Sequence, residues 1–386
     1  AAITDYLGFR PFFDEWKVMG MSAYGQDDYK EIFNDMVYLK EEGNYELNLK
    51  YFSFPTNGQN KWVSDYLLKK LGPRRRYKDK YEQRHFDIAY SLQRVVEKTA
   101  VHLARYLSDI TRNPNLCLTG GVVLNCLMNR KILEETTFKN FFIQPIANDA
   151  GTSMGSALYY YHRFFPSKRD YIFDSVYLGM EFSDEKIEDV LKKRRMNYRK
   201  SDDIARETAS FIAQGKIVGW FQGRMEAGPR ALGNRSIVVD PRKAAMKDKL
   251  NSRVKKREFF RPFAPSILEE RVFEYFNMPK DQMSPYMILI GDVREDKRNI
   301  IPAVTHADGT ARVHTVSRKS NLKYWNLIAE FEKITGVPVL LNTSFNENEP
   351  IVCTPEDAIN CFLRTEFDVL SIGNFVLEKK DNIRNV

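Results

Sequence analysis

The run from Ile217 to Phe221 places the strongest constraint on how this chain folds. Its consecutive apolar residues, IVGWF, predict a buried strand that is covered on both faces. A segment rich in glycine and arginine, GRMEAGPRALGNRS, follows almost directly. Glycine lets a backbone approach a ligand without a clashing Cβ, and arginine forks match phosphate and carboxylate oxygens. The pattern therefore predicts a site for several phosphate groups just after a buried strand.

A second basic segment, VKKREFFRPF, begins at Val254. The alternative to a ligand site is a solvated basic loop that pairs with acidic neighbours. Phe259, Phe260 and Phe263 stand between the cations, and a solvated loop has little need of large apolar side chains. This interleaving favours the ligand site.

The totals limit the class of protein. A chain of 386 residues favours two domains, and a net charge of +8 favours anionic small ligands or nucleic acid. The cysteines show no CxxC spacing, which indicates thiols in a reducing, cytoplasmic setting: Cys117, Cys126, Cys353 and Cys361. No apolar run approaches about 18 residues, so no membrane span is expected. The chain opens AAITDY without an initiator methionine, as a piece of a longer protein would.

The first half contains the pattern of a β-α-β-α unit. Strands are predicted at 116–118 and 141–143, and helices at 122–130 and 152–164. The turns between them are TGG and NDAG, and helix N-termini attract anions through free N–H groups. A glycine pair that merely permits tight packing is the alternative. A linker at 166–171 is predicted to separate domains 1–165 and 172–386.

Two further segments supply polar groups. The strand predicted at 337–341 ends in NTSFN, and a polar stretch, THADGTAR, occupies 305–312. The basic stretch GPRRRYK at 72–78 predicts a solvated turn, because a nucleic-acid patch would normally extend further. No Ser-His-Asp order, HExxH motif or Walker loop accompanies these segments. Phosphoryl or adenylyl transfer remains the best-supported chemistry.

Several long motifs in one order resemble the O-carbamoyltransferase family, whose members carbamoylate antibiotics and nodulation factors. The motifs run from YLGFRPFFDEWKVMGMSAYG at 6–25 to IGNF at 372–375, and they include TGGVVLNCLMN, IQPIANDAGTSMGSAL, GWFQGRMEAGPRALGNRSI, VKKREFFRPFAPSI, THADGTARVHTV and VPVLLNTSFNENEPIVCTPEDA. The resemblance therefore covers nearly the whole chain.

The resemblance implies an α/β protein of two modules. Residues 1–165 would be the second half of an actin/sugar-kinase-like transferase domain, and residues 172–386 an α/β domain similar to threonylcarbamoyl-adenylate synthase. The second module would make carbamoyl-adenylate from ATP and carbamoyl phosphate with Mg²⁺. The first would pass the carbamoyl group to a small-molecule alcohol acceptor and, in the full family domain, would bind iron.

The resemblance also implies roles for individual residues. The Lys-x-Arg and Ser-x-Asn motifs of the family match here, and with one arginine they give the expected catalytic set: Lys255, Arg257, Arg230, Ser344 and Asn346. The expected ligand-binding set is Gly120, Gly121, Asn125, Arg224, Arg235, Arg261, Asp308, Gly309, Arg312 and Asn342. Intramolecular salt bridges are the alternative for each arginine, and strand-end capping is the alternative for each asparagine of NTSFN.

The metal site departs from the family pattern. Asp149 matches the family's metal-binding aspartate, but the His-x-x-x-His helix of the first lobe has no counterpart here. Iron binds tightly only to several convergent ligands. We therefore expect either a fragment that lacks roughly 200 leading residues or a lobe that another polypeptide supplies.

Three other functions compete with this interpretation. A tRNA-modification protein of the threonylcarbamoyl-adenylate type would need a basic RNA-binding face with exposed aromatics, for which 72–80 is a thin candidate. An actin-like sugar kinase would give the arginine-rich module no role. A fragment that binds nucleotide without turnover is the third.

Overall fold

The structure, a computed structural model, describes residues 1–58, 61–165 and 172–382. It confirms a mixed α/β fold. The chain divides into two compact units: a first unit of Ala1–Cys117, Asn125–Phe142 and His306–Asp308, and a second unit of Leu118–Leu124, Ile143–Thr305 and Gly309–Val386. The predicted linker at 166–171 lies outside the described residues, so the boundaries 1–165 and 172–386 stay predictions.

Helices dominate the N-terminal part of the chain. They are α1 Ala2–Tyr6, α2 Glu15–Ser22, α3 Lys30–Met36, α4 Phe54–Asn57, α5 Asp65–Leu71, α6 Gln83–Thr111 and α7 Cys126–Glu135. The strands are β1 Val37–Leu39, β2 Tyr45–Leu47, β3 Asn115–Leu118 and β4 Asn140–Ile143. An antiparallel ladder joins β1 to β2, and β3 with β4 forms another two-stranded sheet.

Helix α6 organises the first unit. Its apolar residues recur at helical spacing, as the sequence predicts, and Ile88, Val95 and Val101 are buried. A capping box between Glu82 and His85 begins the helix. Helices α2, α3 and α7 all pack against α6.

The second unit alternates helices with the strands of a large sheet. The helices are α8 Thr152–Phe164, α9 Asp184–Lys193, α10 Ile204–Ala213, α11 Ala245–Leu250, α12 Val272–Tyr275, α13 Glu295–Arg298, α14 Leu322–Thr335 and α15 Pro355–Arg364. The strands are β5 Arg199–Lys200, β6 Val218–Phe221, β7 Arg235–Val239, β8 Ala264–Leu268, β9 Phe276–Asn277, β10 Leu289–Val293, β11 Thr310–Val316, β12 Val339–Ser344, β13 Val369–Ile372 and β14 Phe375–Glu378.

These ten strands pair in the order β5-β14-β13-β6-β7-β12-β8-β11-β10-β9. The pairs β13–β6 and β11–β8 are parallel, and the remaining pairs are antiparallel. The predicted strand at 217–221 is confirmed as β6, and every one of its residues is buried. Helices α10 and α14 pack on each other and on the sheet, while α15 packs on β6 and β13.

Among the helices that the structure describes, none combines the length and the apolar character that a bilayer crossing requires.

Candidate functional site

Strand β12 positions the polar groups at the centre of the candidate site. Asn342 and Ser344 project from the same face of β12, because alternate residues of a strand share a face. Asn342 pairs in register with Ala264 on β8, and His314 on β11 pairs with Ser266 of the same β8. Three neighbouring strands therefore bring their polar residues to one part of the sheet.

Lys255 joins this region from a different element. Helix α11 continues into one π-helical turn, Asn251–Lys255, which ends at Lys256 with φ 41°. Such turns are frequent at functional sites. The buried Lys255 Nζ donates to Ser344 O at 2.6 Å, Asn346 O at 2.7 Å and Asn346 Oδ1 at 2.8 Å. The Lys-x-Arg and Ser-x-Asn motifs thus meet at one ammonium group.

Four cations influence one another here, and we call Lys255, Arg257, Arg261 and Arg312 the cation cluster. Burial, Arg261 and Arg312 together hold the pKa of Arg257 well below its ordinary value. Burial, Arg257 and Arg261 likewise lower the pKa of Lys255. A buried charge surrounded by like charges is costly, so an anion that enters the cluster gains the energy that relieves this repulsion.

Local contacts hold the guanidinium of Arg257 in place. Its Nε donates to Asn251 Oδ1 at 2.8 Å, and the group lies 4.3 Å from the ring centroid of Phe263. Arg261 pairs with Glu258 at 3.3 Å. Phe263 therefore packs against one of these cations, as the interleaved sequence suggests.

A neutral hydrogen-bonded network lies beside the cluster. Asn342 Nδ2 donates to Ala231 O and to Ser266 Oγ, each at 3.0 Å, and Ser266 Oγ lies 2.8 Å from His314 Nδ1. Burial lowers the pKa of His314 to about 3, so the ring is neutral, and it stacks on Tyr324. Asn342 Oδ1 is buried without a hydrogen-bond partner among the described atoms. Ser266 and His314 were not predicted from the sequence, although the histidine inside the apolar alternation ARVHTV could have indicated a buried polar site.

Arg235 lies in the interior with different partners. Its side chain is 0% exposed, and its guanidinium donates to Gln222 O at 2.7 Å, Asn234 O at 3.0 Å and Met180 O at 3.1 Å. The group also lies 3.6 Å from the ring centroid of Phe221. These contacts favour a structural role over the predicted ligand contact.

Two other arginines of the same segment, Arg224 and Arg230, contact different parts of the second unit. Arg224 is more than half exposed and pairs with Glu181 at 3.4 Å. Arg230 Nη2 donates to Leu124 O at 3.3 Å, within the second unit. The structure thus brings Arg230 to the segment that contains Gly120 and Gly121.

The turn at Gly120 and Gly121 is open. Gly120 has φ +96°, and a Cβ added at either glycine would meet nothing within 4 Å. The glycines are therefore not explained by tight packing among the described atoms. Asn125 belongs to the first unit, where it caps α7 through Met128 N and exchanges hydrogen bonds with Gln93.

The remaining predicted positions do not form one group. Asp308 is exposed and belongs to the first unit, whereas Gly309, with φ +80°, and Arg312 belong to the second. Asp149 is exposed at the start of a single 3-10 turn. The described residues contain no group of three or more His, Cys, Asp or Glu side chains suited to a metal. They do not fit an iron site, and the Mg²⁺ and iron assignments stay predictions.

Comparisons with known proteins agree with these motifs. The family described as Carbamoyltransferase N-terminus matches residues 1–158, and Carbamoyltransferase C-terminus matches residues 209–379. Nodulation protein NolNO of Sinorhizobium fredii is 43% identical over 97% of this chain and 54% of its own length. Nodulation protein NolO of Bradyrhizobium diazoefficiens is 42% identical over 97% of this chain and 67% of its own length.

The chain therefore spans about half to two thirds of the length of these curated relatives. Among solved structures, full-length HypF in a phosphate- and nucleotide-bound form matches with a TM-score of 0.31 and 19% identity, over 48% of this chain and 22% of HypF. A likeness of that strength carries no argument about this chain.

Proposed function

The chain belongs to the carbamoyltransferase family, and we propose that it makes carbamoyl-adenylate and passes the carbamoyl group to a hydroxyl of a small-molecule acceptor. The donors would be ATP and carbamoyl phosphate. Carbamoyl phosphate with water would give carbamate and phosphate. A carbamate oxygen would then attack the α-phosphorus of ATP, a new P–O bond would form, and pyrophosphate would leave.

The observation that carries the proposal is the meeting of Lys255 with Ser344 and Asn346 beside three arginines. Negative charge grows on the phosphate oxygens during adenylyl transfer, and fixed cations stabilise it without reorganising. A cluster whose own pKa values are lowered by mutual repulsion is suited to that task, because it favours an anionic occupant.

Individual roles follow from this geometry. Lys255 and Arg257 would neutralise charge at the α-phosphate, while Arg261 and Arg312 would hold carbamoyl phosphate and the leaving pyrophosphate. Ser344 and Asn346 would hydrogen-bond the carbamoyl group. Asn342 Oδ1, a buried hydrogen-bond acceptor without a partner among the described atoms, would accept from the amino group of a carbamoyl substrate.

The glycine turn has a separate place in the proposal. Gly120 and Gly121 leave room for backbone contact with a nucleotide, and Arg230 lies against the same segment. These residues would hold the adenylate while an alcohol oxygen attacks its carbamoyl carbon and AMP leaves. Since the described residues do not fit a metal site, no step is assigned to a metal ion.

Incubation of the chain with ATP and carbamoyl phosphate tests the first step. We expect carbamoyl-adenylate by mass spectrometry and pyrophosphate release that requires carbamoyl phosphate. Lys255→Ala should lower the rate by about 100- to 1,000-fold. Lys256→Ala is the matched control, because Lys256 is exposed and pairs with Glu347.

Equal rates for these two variants would remove Lys255 from the site. Formation of ADP in place of pyrophosphate would contradict adenylyl transfer and favour a kinase. Pyrophosphate release that ignores carbamoyl phosphate would contradict the proposed donor.

A further inference from the structure

The basic stretch at 72–80 lines an open cavity that the proposed function does not use. The cavity lies within the first unit, between the end of α5 and the start of α6, and has a volume of about 490 Å³. Its charged lining residues are Arg74, Arg75, Arg76, Asp79, Lys80, Glu82 and Arg84. Arg74 pairs with Asp5 and Arg84 with Glu82, and the remaining charged groups of the wall still leave it with a positive excess.

Hydrogen bonds and a ring contact hold the wall of this cavity in place. Arg75 is 3% exposed, donates to Leu7 O at 2.9 Å and Tyr77 O at 3.0 Å, and lies 4.0 Å from the ring centroid of Tyr81. Arg84 Nη1 donates to Pro73 O at 3.1 Å. The sequence predicted a solvated turn at 72–78, but Arg75 of this stretch and Arg84 of α6 are structural supports that fix the loop.

Both carboxylates of the wall are already engaged by the loop and the helix start. Asp79 Oδ2 accepts from Arg76 N at 2.8 Å, and Glu82 accepts from Arg84 Nε at 2.8 Å. The side chains of Arg76 and Lys80 are exposed at the cavity, and their charges remain available to an anion.

A histidine adds an independent sign of a ligand. His85 lines the cavity and is 1% exposed, and its Nδ1 accepts from Glu82 N at 2.9 Å. The ring proton must therefore sit on Nε2, which is buried without a hydrogen-bond partner among the described atoms. Burial lowers the pKa of His85 to about 4, which keeps this neutral tautomer at neutral pH.

We propose that this cavity binds a small phosphorylated anion, with Arg76 and Lys80 as charge partners and His85 Nε2–H as a hydrogen-bond donor. Phosphoryl oxygens match a wall of donors because each accepts several charge-assisted hydrogen bonds. A small ligand fits better than a nucleic-acid strand, because the cations line one open pocket of limited size instead of following a long surface track.

Inorganic pyrophosphate is the probe for the first test. The full chain is labelled with ¹⁵N-histidine, and the ring signals are followed during titration. We expect the His85 Nε2–H resonance to move saturably. Arg76→Ala/Lys80→Ala should raise the dissociation constant for this shift about tenfold. Lys69→Ala/Lys139→Ala removes two exposed charges elsewhere in the first unit and should leave it within about twofold.

The readout separates this site from the cation cluster. Pyrophosphate that binds Lys255 would not move His85, so the His85 shift should persist in Lys255→Ala protein even if the proposed adenylation fails. A stationary His85 signal, or a shift of equal affinity in Arg76→Ala/Lys80→Ala, would overturn the site. So would a His85 shift produced by single-stranded RNA and not by pyrophosphate, since it would assign the loop to nucleic acid.

Discussion

Two arginine-rich segments of the second unit, 222–235 and 255–261, look alike in sequence and differ in what surrounds their charges. Arg235 is buried among main-chain carbonyl groups that accept its hydrogen bonds. Burial and the neighbouring cations Arg261 and Arg312 lower the pKa of Arg257. Main-chain acceptors compensate for the burial of the Arg235 guanidinium. Burial and like charges destabilise the charged form of Arg257, and a bound anion would stabilise it.

Amino-acid composition alone therefore does not locate a phosphate site. Arginine occurs in both segments, but only the surrounding groups distinguish an arginine that supports the backbone from one that is suited to bind an anion. Substitution of Arg235 should therefore change stability, and substitution of Arg257 should change activity.

The largest effect is expected for Arg235→Ala. The variant removes the buried hydrogen bonds to Gln222 O, Asn234 O and Met180 O and the contact with the Phe221 ring, so the free energy of unfolding should fall by about 4 kcal/mol. Urea denaturation followed by circular dichroism measures it. Arg224→Ala is the matched control, because Arg224 lies in the same segment and is more than half exposed. A similar small loss in both variants would contradict the structural role of Arg235.

Arg257→Ala should show the opposite behaviour. Pyrophosphate release should fall about 100-fold, because one cation that stabilises the transition state is lost. The urea midpoint should stay the same or rise, since a buried like-charge repulsion disappears. Arg253→Ala, which removes an exposed arginine paired with Glu366, should leave both quantities unchanged. A large loss of stability in Arg257→Ala would place this arginine in the same class as Arg235.

The helices and the apolar strands were predictable, because their patterns are local. The helix predicted at 152–164 is confirmed without change as α8, and the strand predicted at 217–221 is confirmed as β6, Val218–Phe221. Strand β7 was missed because it begins with Arg235 and Ser236, polar residues that a local pattern assigns to a loop. Their burial depends on partners in other segments, which no window of sequence contains.

The candidate site shows the same limit. Lys255 contacts Ser344 across 89 positions of sequence, and the family resemblance, not the spacing, predicted that pair. Strand β11 begins inside the polar stretch at 305–312, so the local pattern did not indicate that Arg312 lies in a strand of the large sheet. Tertiary contacts thus decide which predicted cations act together.

His314 offers a test of the neutral network beside the cluster. Its folded pKa of about 3 lies below the ordinary value of 6.5, so its contribution to stability is complete above about pH 6.5 and is lost as the pH falls toward 3. Between pH 7 and pH 5, wild-type protein should therefore lose about 2 kcal/mol more than His314→Phe. Urea titrations at both pH values measure this difference.

Comparing the pH dependence of wild-type protein with that of His314→Phe cancels the contributions of the other titratable groups. His85 is also held neutral by burial, but it is present in both proteins and drops out of the difference. Equal pH dependence of wild-type protein and His314→Phe would mean that His314 is protonated as easily in the folded state as in the unfolded state. The network beside the cation cluster would then carry charge.

The smallest effect concerns the backbone of the first segment. Gly228 has φ +108°, and a Cβ there would lie 2.8 Å from Pro145 O, within the second unit. Gly223 has φ +42°, and the nearest atom to its Cβ is Asn234 Nδ2 at 3.6 Å. Gly228→Ala should therefore lower the free energy of unfolding by about 2 kcal/mol, and Gly223→Ala by about 1 kcal/mol. Equal losses of unfolding free energy in the two variants would mean that the close approach to Pro145 O is not what requires glycine at position 228. The backbone around Arg235 would then be less tightly constrained than the hydrogen bonds of that arginine indicate.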